Sequence, residues 1–357
     1  MTTTARPRDA AELAVLLPYQ LGYHPGPSVC LTLMHGRRLG MIQRHDLAVD
    51  PRACRDTAQE AVAIAAREGA TSVLLMAFED DEGESLPLRV AMTSAALEVE
   101  IAVHEQLVVR DGRCCSPDGD AGDRSWRVLP RPEDVPAIAH FVQAGVCPLP
   151  SRDHLVRGVL PERDEVRAAA VSTASSPLGV RRTVEDLVLV WARLLDPSHD
   201  ARGVEEMTDA DLLLLASSLQ DIDWRDALMA VLCPGALPLT AVAGRDIDRA
   251  LLAGAWCPWV VGDDARDDPE LSDAGEHHDD VRAVRNRLVD LTRLVPIDLA
   301  PPVLTCVAHL AWWSGDGTVA GICLERALQI DPGYRLAVLM LQLLSHGVRP
   351  WAGRSVA

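Results

Sequence analysis

The chain has 357 residues, long enough for two domains, and 48% of them are hydrophobic, which supports a substantial core and argues against global disorder. Its formal charge of −18, with no lysine anywhere, argues against a nucleic-acid surface and offers nothing to an anionic membrane. No apolar run reaches the roughly 18–20 residues of a membrane helix, and the polar stretch Met1–Asp9 lacks the order of a secretory signal, so a cytoplasmic protein is expected.

Asp9 to Leu17 reads as a short helix capped by Asp9, with Ala10, Leu13, Ala14 and Leu17 on one face and Pro18 interrupting it. Gly22–Pro27 is a turn, because its glycines and prolines cannot continue a helix. Two apolar runs follow, Ser28–Met34 and Arg38–Leu47, and the His35-Gly36-Arg37 break between them predicts a β-hairpin. Cys54, Ala58, Ala61, Val62 and Ala65 then share a helical face, closed by Gly69. Ser72–Phe78 is continuously apolar, as in a strand buried on both faces.

A second helix follows Pro87, with Leu88, Ala91, Met92, Ala95 and Val99 inward. In Ile101–Val109 the alternation places Ile101, Val103, Leu107 and Val109 on one side of a strand, ended by the Asp111-Gly112 turn. The order β-β-α-β-α-β predicts an α/β domain over residues 1–150: a β-hairpin followed by βαβαβ in a mixed sheet, its two crossovers making parallel pairs. Ser116–Pro136 reads as irregular, and Pro148-Leu149-Pro150 as a linker.

Residues 151–357 read as a helical domain. Glu165–Thr173, Thr183–Leu195, Asp209–Leu219 and Trp224–Leu232 carry helical spacing, with Thr208 and Asp223 as caps for the last two. Residues 262–280 form an acidic loop, solvated rather than metal-binding, since the spacing matches no calcium loop. Helix resumes at Val281–Leu294 and beyond Pro302. Leu304, Val307 and Ala308, the Gly315-Asp316-Gly317 turn, and then Ala320, Leu324, Ala327 and Pro332 resemble a single tetratricopeptide-like hairpin over 303–346, or else form an ordinary helix pair of an all-α domain. The nine cysteines are scattered without a C-x-x-C spacing, so free thiols are expected rather than a zinc or redox site.

Several segments in order resemble one family: Pro18–Pro25 with Ser28-Val29, Arg110–Arg113, Leu149–Arg152, Trp224–Ala227, and the run from Gly315 through Leu324–Leu328 to Tyr334. The chain is similar, over about residues 10–350, to the actinobacterial family called domain of unknown function 4192. The resemblance implies a cytoplasmic protein and supplies no reaction. Relatives typically carry paired tryptophans after the Asp-Gly-Arg segment, where this chain has Cys114 and Cys115.

Three sets of residues are candidate sites. His24, in a turn just before a strand, could act as a base that activates Ser28, or could pack or cap within a structural turn. Asp46 and Asp50 follow the second strand, and Glu79, Asp80 and Asp81 follow the third. On adjacent parallel strands they would share the carboxyl edge, where oxygen-only ligands suit Mg2+ and a phosphorylated substrate; otherwise they are ordinary acidic loops. No glycine-rich nucleotide loop accompanies them, and no organic cofactor is expected. The function expected first is a non-enzymatic protein-binding, scaffolding or regulatory protein that docks a protein partner on its helical part. The alternative is a metal-assisted enzyme acting on a small molecule at the carboxyl edge.

Overall fold

The computed structural model describes residues 7–117, 125–143, 145–174, 184–196, 203–236 and 278–348. Two compact units divide between Leu155 and Val156. The acidic stretch expected at 262–280 lies outside the described residues up to 277. Among the described residues, no helix is long and apolar enough to cross a membrane.

The first unit is a mixed six-stranded sheet with helices on both faces. Its strands are β1 (Ser28–His35), β2 (Arg38–Asp46), β3 (Ser72–Phe78), β4 (Ala102–Arg110), β5 (Arg113–Cys115) and β6 (Arg127–Val128). They lie in the order β2-β1-β3-β4-β5-β6. Side chains alternate between two cores, as strand geometry requires. Val29, Leu31 and Leu33, with Val73, Leu75 and Ala77, pack under α2 (Pro51–Arg67) and α3 (Leu86–Glu98). Cys30, Leu74, Met76, Leu107 and Val109 face α1 (Ala10–Leu21) and α4 (Pro136–Gln143).

The crossovers are only partly as expected. β3 and β4 are parallel neighbours, but β1 inserts between β2 and β3 and runs antiparallel to both. The chain composition explains the insertion. β1 is buried from Ser28 through Leu33 and needs a neighbour on each side, whereas β2 carries Arg38, Arg44, His45 and Asp46 and suits an edge. Since β2 and β3 are both antiparallel to β1, they point the same way, and their carboxyl ends still share one edge.

Five local expectations are corrected. Helix α1 runs through Pro18 to Leu21 and ends at Gly22 in a left-handed conformation; only one backbone bond, to Ala14, is lost there. In β4 a register shift at His104 flips the alternation. Ile101 and Val103 therefore join the α2/α3 core, and Leu107 and Val109 the opposite one. Val99 falls past the end of α3 and is exposed. The stretch read as irregular contains β5 and β6, which extend the sheet beyond the Asp111-Gly112 turn. Pro148–Pro150 is bonded into this unit: Leu149 donates to the Gly22 carbonyl (2.8 Å) and accepts from the His24 amide (2.9 Å).

The helix α5 (Arg152–Val159) spans the division. The second unit contains α6 (Glu165–Thr173), α7 (Val184–Leu195), α8 (Asp209–Ser218), α9 (Ile222–Leu232), α10 (His278–Leu294), α11 (Ala300–Trp313), α12 (Gly317–Ile330) and α13 (Arg335–Ser345). Thr208 caps α8 as expected, but α9 is capped by Asp221, which accepts from the Asp223 and Trp224 amides. Asp223 lies in the first turn instead. Asp279 and Asp280, expected in the acidic loop, stand in the first turn of α10, where carboxylates complement the helix dipole. Helix α11 is buried along nearly its whole length, and α12 packs on it through Ala320, Leu324 and Ala327, with Asp316 capping the turn.

Two histidines, His309 buried and His45 half-buried, make the fold acid-sensitive. His309 of α11 lies edge-on to Trp312 with its Nε2 unpartnered, and burial lowers its pKa from 6.5 to about 4. His45 on β2 is lowered to about 4 as well, by burial first and then by the Arg44 charge. Both rings are held neutral in the folded state, while the unfolded chain takes up protons near 6.5. Stability is therefore whole above that value and falls as pH drops towards 4. Urea midpoints are expected to fall between pH 7 and pH 4.5, and His309→Phe should flatten the slope for the helical unit. An unchanged slope in that variant would contradict the assignment.

Candidate functional site

The carboxyl edge of the sheet is crossed by four strands in register. Ser28 of β1 stands opposite Asp46 of β2 on one side and Phe78 of β3 on the other, and Phe78 stands opposite Val109 of β4. The turn that enters β1 is clamped from this edge. The Arg44 guanidinium donates to the Pro25 carbonyl through Nε (3.0 Å) and Nη2 (2.8 Å), and through Nη1 to Asp46 (2.6 Å). The Ser28 hydroxyl is fully buried and donates to the Gly26 carbonyl (3.0 Å). Gly26 itself has φ of 59°, a conformation glycine reaches without strain.

Next to this turn, Glu79 is the first residue after β3, and its side chain is only 2% exposed. An ionised carboxylate so placed must be compensated by donors and charge. Oε1 accepts from the Ser85 amide (3.1 Å) and the Ser85 hydroxyl; Oε2 accepts from the Gly83 amide (3.3 Å) and Arg110 Nη1 (3.4 Å). The network continues inward. Arg89 donates to the Ser85 hydroxyl (2.9 Å) and to Gln106 (3.1 Å), and Gln106 donates to Thr93 (3.2 Å). Arg110 at the end of β4 lies over the Trp126 ring at 4.7 Å and near Glu82. The following Asp111 takes φ of 51° to open the turn into β5.

A cavity of about 470 Å3 opens beside Arg110. Ala14, Val15, Pro18 and Tyr19 of α1 form one wall, and Phe78, Val109 and Leu129 another; His24, Pro25 and Pro148 are also at its border. Its charged lining is Glu79, Asp80 and Asp111 against Arg110. Pro18 has no N–H to give to the Ala14 carbonyl, and both residues line the cavity. The imidazole of His24 is exposed, and among the described residues it has no hydrogen-bond partner.

Of the residues nominated from sequence, His24, Glu79 and Asp80 come together around this cavity. Ser28, Asp46, Asp50 and Asp81 are not among its lining. Asp46 is two strands from Glu79, about 10 Å across the sheet, and is engaged by Arg44. Asp50 caps α2 by accepting from the Ala53 amide (3.0 Å). Asp81 is exposed in the loop after β3. Among the described residues, no three of His, Cys, Asp and Glu gather as a metal-holding group.

Sequence reasoning overlooked Arg44, Ser85, Arg89 and Arg110. Arg89 carried a usable signal, because it stands beside Leu88 on the inward face of α3, where a charge must have partners. Ser85→Ala removes the hydroxyl shared by Glu79 and Arg89 and should cost about 2 kcal/mol in urea unfolding. Asp81→Ala, at an exposed site, should change stability by less than about 0.5 kcal/mol. Equal effects for the two would contradict the buried network.

The family model described as "Domain of unknown function (DUF4192)" matches residues 11–351. No curated protein and no solved structure matches the chain.

Proposed function

The chain belongs to the DUF4192 family, whose description names no activity, and we propose from its own site that it is a non-enzymatic binding protein. Its ligand carries a cationic head on an apolar body, an amine or a guanidine. The observation that carries this reading is the composition of the cavity. Apolar walls from Tyr19, Phe78, Val109 and Leu129 meet a charged lining of three carboxylates and one guanidinium. That guanidinium is already neutralised: Arg110 is held by Glu79 and Glu82 and covered by Trp126. Asp80 and Asp111 have no side-chain partner among the described residues, so they are free to receive a cation. Apolar burial with a few convergent charges is the usual composition of a small-molecule site.

The metal-assisted reaction has less behind it. Ser28 spends its hydroxyl on a turn carbonyl, Asp46 pairs with Arg44, Asp50 caps a helix, and Glu79 already accepts from four donors. A cytoplasmic setting is in keeping with the eight cysteines of the described residues, all free thiols.

Calorimetric titration with phenethylamine and agmatine, against phenylacetate and inorganic phosphate, tests the ligand class. The two cations should bind and the two anions should not. Asp80→Asn with Asp111→Asn should weaken cation binding by about tenfold or more, and added salt should weaken it too. Equal binding of the anions, or affinity indifferent to both substitutions, would overturn the reading.

A second reading, docking of a protein partner on the last hairpin, is favoured by one observation. Leu339 and Leu343 of α13, one turn apart on the helix, are 46% and 44% exposed. Partners recovered with the intact chain should be lost when Leu339→Asp and Leu343→Asp are combined. Unchanged recovery would remove this reading.

A further inference from the structure

The α/β unit presents a second concave surface on the opposite side of the sheet from the ligand cavity. It is a groove of about 450 Å3 between α2 and α3. Helix α3 is apolar on its inward face and again on its outward one. Leu88, Met92, Ala95 and Ala96 are buried against the sheet, yet Leu86, Val90 and Leu97 point outward at 49%, 55% and 68% exposure. A helix of this composition is ordinarily covered on both sides. The floor of the groove is made of small or buried residues, Cys54, Ala91, Ser94 and Ala95, which allow another helix to approach closely.

The direction of the two helices decides what fits. β2 and β3 point the same way, and α2 and α3 each return the chain across the same face, so the two helices are parallel. The amino-terminal end of the groove therefore carries Arg55, Leu86 and Pro87, and the carboxy-terminal end carries Ser94 and Glu98. Arg55 and Glu98 are exposed, and neither has an ion-pair partner among the described residues.

We propose that this groove seats helix α3 of a second copy of the chain, antiparallel to the first, about a two-fold axis near Ala91 and Met92. The arrangement places Glu98 of each copy against Arg55 of the other, at the positive ends of α2 and α3, where a carboxylate is favoured twice over. It lays each Val90 over the small Ser94 of its mate and each Leu97 against Pro87. Charge and shape are thus self-complementary only in the antiparallel sense; a parallel mate would set Glu98 against Glu98. Helix α3 has 13 residues and is about 20 Å long, so the contact is at the small end of specific interfaces and the dimer is of modest affinity.

Sedimentation equilibrium of the full chain between about 1 and 100 µM reads the outcome directly. A reversible monomer–dimer equilibrium is expected, and Val90→Asp should leave only monomer. Arg55→Glu and Glu98→Arg should each weaken the dimer by about tenfold, and the double variant should restore it, because the reversed charges meet again across the axis. All three positions are exposed, and circular dichroism should confirm that each variant is folded. A monomer throughout the range would overturn the proposal. So would a dimer indifferent to Val90→Asp, or a double variant no better than the single ones.

Discussion

The buried carboxylate of Glu79 is the group on which the carboxyl edge of the α/β unit depends. Removing a carboxylate from water is costly, and the cost is met here by two backbone amides, one hydroxyl and one guanidinium. The donors come from two separate pieces of chain, the 83–85 segment and Arg110. The Gly83 and Ser85 amides belong to the loop after β3, the Ser85 hydroxyl opens α3, and Arg110 ends β4. One side chain thereby fixes the end of β3, the start of α3 and the end of β4. Through the Trp126 ring under Arg110 it also reaches the residues that enter β6. Taking away a single partner of such a group leaves a charge uncompensated, which destabilises far more than replacing the whole set by apolar residues would.

The rest of the cavity follows from that anchor. The turn before β1 cannot drift, because Arg44 grips the Pro25 carbonyl from β2 and Leu149 bonds to Gly22 and His24 from the far end of the unit. Helix α1 adds the wall through Pro18 and Tyr19. Arg110 is engaged by Glu79, Glu82 and Trp126, so Asp80 and Asp111 are the carboxylates on which the proposed binding of a cation rests. The apolar groove on the opposite face of the sheet shares none of these residues.

Much of the fold was legible in the residues. Ser72–Phe78 appears as a strand over the same residues its apolar run marked, and Cys54, Ala58, Ala61, Val62 and Ala65 form the buried face of α2 that their spacing marked. What periodicity could not convey was strand order. A hairpin followed by a crossover is compatible with β3 beside β2 or beside β1, and only the deeper burial of β1 against the charged character of β2 decides it. The bulge at His104 was hidden for a related reason: one inserted residue reverses the pattern without changing composition. In the candidate site, His24, Glu79 and Asp80 were legible because they stand at element ends. Arg44 and Arg110 were not, because their roles depend on partners distant in sequence.

Glu79 and Arg110 act as a coupled pair rather than as neighbours that happen to meet. A double-mutant cycle with Glu79→Gln, Arg110→Gln and both together, read by urea unfolding of the α/β unit, measures that coupling. An interaction energy of about 1–3 kcal/mol is expected, with the double variant less damaged than the sum of the single ones. Strict additivity would contradict it.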